Sequence, residues 1–523
     1  MDRRVLPVPM DAATMAEFRQ RGQIPEEVEK DIGTVLSYIH YALPDAPVSG
    51  EARLTAVPPD DDVDRVSLLP DALLHRIVSL LPVKDAARTA ALSTRWREVW
   101  VSTPLVFVDA DLLPAGQSNS SSGADVAREE ARAVTFAVSR VLAAHPGPFR
   151  RLHLTSSLMD QYQGLLASWL QILAMKGIQE LILVNRPWPA DLSLPATFFG
   201  MATLTRLYLG LWKFPSTADL PRGVCFPNLR ELGFSLIGIT EEDIEFVLAR
   251  SPVLETLCLQ ANTLERYRVA SRSLRCVVMI GCPQDVDLVN TPRLERLILL
   301  QSCGSSMRVR IARAPSLRAV GYLDLGQHVL EIGNTVIKAG TRASPSTMIP
   351  SVKILALQVH FGVRNEAKML PSFLRCFPNV ETLHLQSRNT KDLTGKLNLK
   401  FWYDAGAIEC IQSRITVMIF RGFQAARGEI NFLKFCLENA RMLKKLIIVS
   451  TKGRFASIDE ANSAVKPLFT TKWACQCCSL VVLESACSEG SMNWNFERGS
   501  DFSLVDPFAI IMQASWIDIS ASS

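Results

Sequence analysis

The 523-residue sequence predicts an α/β solenoid fronted by a small three-helix unit. Three observations point there. A six-residue apolar phrase returns at intervals of 20 to 25 residues through the middle of the chain. Near the start, "LPDALLHRIVSLLPVKDAARTAALSTRWREVW" (69–100) crowds apolar residues at helical spacing. After residue 400 the pattern lengthens into strand, turn, helix, strand.

Composition sets the frame. Hydrophobic residues make up 48% and charged residues 21%, values of a globular chain and not a disordered one. A net charge of +4 is too mild to make nucleic acid or an anionic membrane the main partner. The apolar runs, such as "LILL" (297–300), fall far short of the roughly 20 residues a spanning helix requires. The opening "MDRRVLPVPMDAATMAEFRQ" lacks the apolar core of a signal peptide. Reduced thiols are therefore expected for the 12 cysteines, with the chain in the cytoplasm or nucleus. Residues 1–62 read as a partly disordered extension, in which "DIGTVLSYIHYALPDAP" suggests one helix with no assigned role.

In the 69–100 stretch, Pro70 and Asp71 suit a first turn, and Leu73, Leu74, Ile77, Val78, Leu80 and Leu81 recur on more than one helical face. Pro82 stops that helix, "KDAARTAAL" forms a second, and Ser93 caps a third carrying Trp96, Val99 and Trp100. Three helices this short cannot close a core that hides all of this surface, so part of it awaits a partner. The segment "DRVSLLPDALLHRIVSLLPVKDAARTAALSTRWREVW" closely resembles the F-box, the module that docks on a Skp-type adaptor of Skp–cullin–F-box ubiquitin ligases. The resemblance spans 63–112 and puts Leu69, Pro70, Leu74, Ile77, Leu81 and Pro82 on or near the adaptor surface. By the same resemblance, Leu92, Trp96 and Trp100 hold the helices together and complete that surface.

Residues 113–127, with "AGQSNSSSGAD", read as a flexible linker, and "AREEARAVTFAVSRVLAAHPG" as a helix. The phrase then recurs across 128–400, as in "FRRLHL", "IQELIL", "LTRLYL", "LRELGF", "LETLCL", "LERLIL" and "VETLHL". An L-x-x-L-x-L core at this interval is the signature of leucine-rich repeats, here irregular because the usual asparagine is mostly missing. One strand and its return cannot bury their own leucines, so neighbours must stack. "TEEDIEFVLARSP" (240–252) reads as a return helix capped by Thr240.

Alternate strand residues should face the concave side, among them Arg206, Tyr208, Gln260, Arg296 and His384, with Val278, Ile298 and Leu300 as an apolar patch. One reading is that these residues grip a target protein. The competing reading is that runs such as "CVVMI" mark strands covered on both faces, with the chain's own loop or C-terminal part lying over them.

The core "GEINFLKFCLENARMLKKLIIV" resembles the FBD module that follows the repeats in many plant F-box proteins, making 401–523 an FBD-like cap. Cys475, Cys477, Cys478 and Cys487 cluster, but no second pair or nearby histidine completes a zinc set. No G-x-S-x-G, H-E-x-x-H or phosphate-loop motif is present, so neither catalysis nor a cofactor is expected. The resemblance implies a non-catalytic specificity subunit of a ubiquitin ligase, binding a Skp-family adaptor, through it cullin, and an unknown protein substrate. A scaffold that meets the adaptor without cullin and a small-molecule-dependent receptor on the same fold stay open.

Overall fold

The computed structural model describes residues 12–44, 64–112, 124–155, 163–185, 192–281, 283–300, 306–388, 397–485, 499–509 and 518–519. Most of the expected linker, together with Cys282, Cys487 and residues 486–498 of the tail, lies outside them. The chain forms two compact units, residues 1–264 and 265–523.

The first unit opens with helices α1 (Ala12–Gln20) and α2 (Pro25–Ala42). The three short helices follow as α3 (Asp71–Val78), α4 (Val83–Thr89) and α5 (Thr94–Ser102). Pro70 and Pro82 stand just before α3 and α4, where no helical N–H bond is forfeited. The Ser93 hydroxyl accepts the Trp96 N–H at the head of α5. Strand β1 (Leu105–Val108) comes almost directly after α5 and pairs in parallel with β2 (Phe149–Leu154). The helical unit is thus joined to the sheet by its own C-terminal strand. Helix α6 (Ala124–Ala144) links the two strands and begins inside the span read as linker.

Helix α7 (Gln163–Met175) leads to β3 (Glu180–Val184), followed by β4 (Arg206–Gly210), β5 (Glu231–Ser235), α8 (Glu241–Ala249) and β6 (Thr256–Gln260). Strands β1 to β6 are parallel neighbours in chain order. Their register aligns Leu181, Leu207, Leu232 and Leu257 in one row, all buried: the fourth position of each repeated phrase becomes one layer of core. Thr240 caps α8 as expected, accepting from the Asp243 N–H, and Ile244, Val247 and Leu248 turn inward.

In the second unit the strands are β7 (Arg266–Ala270), β8 (Cys276–Ile280), β9 (Asp285–Asn290), β10 (Arg296–Leu300), β11 (Met307–Ile311), β12 (Ala319–Asp324), β13 (His328–Ile332) and β14 (Thr335–Val336). Next come β15 (Ile354–Val359), α9 (Arg364–Cys376), β16 (Thr382–Ser387), α10 (Leu399–Asp404), α11 (Glu409–Ser413) and β17 (Val417–Phe423). The end comprises α12 (Arg427–Asn439), β18 (Lys445–Ser450), α13 (Ile458–Phe469), β19 (Ser479–Glu484) and β20 (Asp518–Ile519). One sheet runs β8, β10, β12, β15, β16, β17, β18, β19, all parallel, with antiparallel β20 at its edge. Within this unit the core row is Val277, Leu297, Val320, Leu355, Leu383, Met418, Leu446 and Leu480. The FBD-like segment therefore extends the repeats by further strands backed by α12 and α13.

A second sheet, in the order β14, β13, β11, β9, β7, was not anticipated. The return segments "RYRVA", "DVDLVN" and "MRVRI" alternate apolar and charged residues, burying Tyr267, Val269, Val286, Leu288 and Val309. This is the period of a strand with one wet face.

Candidate docking surfaces

The three-helix unit is held by one arginine and one tryptophan from the start of α5. Arg95 donates to the Asp71 carboxylate at 2.6 and 2.9 Å, to the Leu69 carbonyl at 2.6 Å, and also to the Ser67 carbonyl. Trp96 Nε1 donates to the Ser67 hydroxyl at 2.9 Å. Behind them Leu74, Val78, Val83, Ala86, Trp96 and Val99 form a small dry core.

What that core cannot accommodate stays outside. Leu68 is 76% exposed, Leu92 67%, Leu73 50% and Leu80 44%. Pro70 is exposed, while Leu69, Ile77, Leu81 and Pro82 are half-buried. Two expectations are corrected. Leu74 is wholly buried, because it lies on the stripe of α3 that faces α5; the outward stripe is Leu73 and Ile77, with Leu80 just past the helix end. Of the two roles expected for Trp96, holding the helices and completing the surface, burial leaves it only the first, and Trp100 is half-buried with its ring edge-on to His145 at 4.8 Å, so the outer surface is aliphatic. The helical phase of "DALLHRIV" carried the signal for Leu73, which the residue-by-residue likeness missed.

The strand faces tell a different story. In the first unit, the register places Arg151, Glu180, Arg206 and Glu231 side by side on successive strands. They pair in alternation, at 3.1 Å for Arg151–Glu180, 3.2 Å for Arg206–Glu180 and 2.5 Å for Arg206–Glu231. Burial alone would raise the Glu180 pKa, but the His153 hydrogen bond and the charges of Arg206, His153 and Arg151 hold it below the ordinary carboxylate value. Arg206 is thus spent on its neighbours. The Tyr208 ring lies over Gly233, where a Cβ would come within 2.1 Å of the ring, and is itself wholly buried. Helix α2 covers this face: Gln260 Nε2 donates to the Tyr38 carbonyl, and Ile39 packs beside Gly210.

In the second unit, residues 499–509 run as a strap over the strands. Arg296 donates to the carbonyls of Gly499 at 2.8 Å, Asp501 at 2.9 Å and Leu504. The Phe502 ring lies under the Arg275 guanidinium at 3.7 Å. Phe508 packs against Tyr322 and His384, and its carbonyl accepts from Arg421 at 2.9 Å. Asp506 accepts from His384 Nε2 at 2.9 Å; burial opposes its charge, but the His384 bond and charge keep its pKa low.

Tyr208, Gln260 and His384, expected on an open face, are therefore each at most 1% exposed; so are Val278 and Ile298, for which a covered face was the competing reading, and Leu300 is half-buried. Parallel strands buried on both sides account for the unbroken apolar runs. Among the described residues no three His, Cys, Asp or Glu side chains are grouped to hold a metal. Cys475 and Cys477 sulfurs stand 2.8 Å apart, and burial pushes the Cys478 thiol up to about 12.

Known proteins match the same three parts in the same order. The F-box domain family matches residues 66–107, the family described as FBD-associated F-box protein At5g56370, LRR repeats, matches 166–385, and the FBD family matches 404–448. The F-box/FBD/LRR-repeat protein At1g13570 of Arabidopsis thaliana is 30% identical over 402 residues, covering 74% of this chain and 91% of that protein. The FBD-associated F-box protein At4g13985 of the same plant is 25% identical over 83% of this chain and 99% of its own length. With an exposed aliphatic stripe on its helical unit and stacked parallel strands behind it, this chain belongs to the plant F-box/FBD/LRR-repeat family.

Proposed function

We propose that this chain is the substrate-specificity subunit of a Skp–cullin–F-box ubiquitin ligase, working in the cytoplasm or nucleus. One observation carries the reading: Leu68, Leu73, Leu80 and Leu92 remain exposed on a unit whose polar ends are already tied by Arg95 and Trp96. An aliphatic patch of this kind, left exposed among the described residues, is matched by the apolar face of an adaptor. The subunit contributes proximity, holding a target near the conjugating enzyme and raising its local concentration. The strand faces under α2 and residues 499–509 are occupied, so target contacts fall on other surfaces.

The test is capture from plant extract of wild type beside a Leu73→Glu/Leu92→Glu variant. Wild type should retain a Skp-type adaptor and cullin, and the variant should lose both while keeping its circular dichroism. Equal adaptor capture by the two would sink the docking assignment. Adaptor without cullin would favour the scaffold reading.

A further inference from the structure

We propose that Cys475 and Cys477 form a redox-modification site, a dithiol that closes to a disulfide by exchange with a small disulfide oxidant such as oxidised glutathione. The two sulfurs stand 2.8 Å apart, within reach of a shared proton. Only Gln476 separates them, in the turn between α13 and β19. Both ends of that turn are tied down. Trp473 Nε1 donates to the Leu468 carbonyl at 3.0 Å, and its ring stacks on Phe469. The Ala474 N–H donates to the Leu437 carbonyl at 2.8 Å, and the Ser479 N–H to the Lys444 carbonyl at 2.9 Å. The fold itself thus holds the sulfurs together, and bonding asks only for a small approach of two side chains.

Accessibility singles out this pair. Cys477 is exposed and Cys475 half-buried, whereas Cys478, the next residue, is buried, as are Cys258, Cys276, Cys376, Cys410 and Cys436. Burial pushes the thiols of Cys376, Cys410 and Cys478 up to about 12, which withholds the thiolate that exchange requires. Cys225 is half-buried too, but its thiol donates to the Arg250 carbonyl at 3.3 Å. The hydrogen bond between the two sulfurs raises the Cys475 pKa, so Cys475 keeps its proton and donates it to Cys477. Cys477 is therefore the attacking sulfur and Cys475 the resolving one. The Cys477 thiolate bonds to one sulfur of oxidised glutathione, breaking its S–S bond and expelling a glutathione thiolate. Cys475, giving up its proton, then bonds to the Cys477 sulfur and expels the second glutathione. The two thiol protons pass through solvent to the two glutathione thiolates. The pair is oxidised by two electrons, and one oxidised glutathione becomes two reduced ones.

The full chain, reduced and then equilibrated in mixtures of reduced and oxidised glutathione, is quenched in acid, alkylated under denaturing conditions and digested with trypsin. Peptide 473–498, which also holds Cys478 and Cys487, is read by tandem mass spectrometry. As the oxidised fraction rises, alkylation should be lost together at Cys475 and Cys477 and retained at Cys478 and Cys487. Cys487→Ser should leave this result unchanged. Cys475→Ser should stop the reaction at a glutathione adduct on Cys477. Cys477→Ser should slow the uptake of oxidant by about tenfold or more, since the exposed attacking sulfur is gone. Circular dichroism checks that each variant is folded. A bond from either cysteine to Cys478 or Cys487, or both thiols still alkylated in excess oxidised glutathione, would overturn the proposal. So would a glutathione adduct on Cys477 that persists in the wild type without closing.

Discussion

His384 and Asp506 meet at 2.9 Å across a separation of 122 residues, joining a repeat strand to the strap that crosses it. The bond is charge-assisted on the acceptor side, and the Asp506 carboxylate is kept ionised by its partner. Asp506→Asn should cost about 2 kcal/mol, the scale of a hydrogen bond to a charged group. Hydrogen exchange should then rise across residues 499–509 before it rises in the strands. Unchanged exchange there would mean that Arg296 and Arg421 hold the strap without it.

Beneath that strap Ile298 has no exposed surface. Ile298→Glu should cost several kcal/mol, because the carboxylate loses its hydration there and the nearby Arg296 is already bonded to the strap carbonyls. Urea unfolding measures this, and a variant as stable as wild type would show the face to be open.

Adjacent leucines on α3 should behave oppositely. Leu74→Ala should lose about 3 kcal/mol of stability through a core cavity. Leu73→Ala should leave the melt nearly unchanged and weaken adaptor capture. Urea midpoints and adaptor pull-down, run on both variants, separate the two roles.

Acid should weaken the fold in a defined window. Burial pushes the His328 pKa down to about 4, partly opposed by the Asp324 charge and aided by Arg388; its Nδ1 accepts the Asp324 N–H at 3.1 Å. The unfolded chain takes up this proton near pH 6.5. Stability is therefore complete above pH 6.5 and falls as pH drops toward 4, by about 3 kcal/mol in all. His145, also lowered by burial, adds a slope of the same sign. The stabilisation from Glu180 and Asp506, whose pKa values are depressed, is present above the ordinary carboxylate range and lost only at lower pH. Urea midpoints from pH 7 to 4.5 read the slope, and His328→Gln should flatten it.

After β6, Ala261 adopts φ 44°, left-handed backbone that a Cβ disfavours; Gly281 holds φ 79° at the matching place after β8. Ala261→Gly should raise stability by about 0.5 kcal/mol, strain relief outweighing the added freedom of the unfolded glycine. Gly281→Ala should lower it by about 1 kcal/mol.

Local pattern determined a great deal about this protein. The Leu207, Leu232, Leu257 phrase specifies strand, interval and stacking, because one repeat alone cannot bury its leucines. Ser93 and Thr240 mark helix starts that the fold realises, since a cap acts on N–H groups only two or three residues away. The second sheet was also legible: "RYRVA" and "MRVRI" carry a period of two that the leucine phrase overshadowed. Only the tertiary structure decided what lies on the strand faces. Arg296 finds Leu504 and Gln260 finds Tyr38 across more than 200 residues, and nothing local to either partner names the other. A periodic pattern reports which side chains leave water, not which distant segment displaces it. That is why Tyr208 and His384 read as an open face and fold as a covered one, whereas for Val278 and Ile298 the local pattern left both readings open.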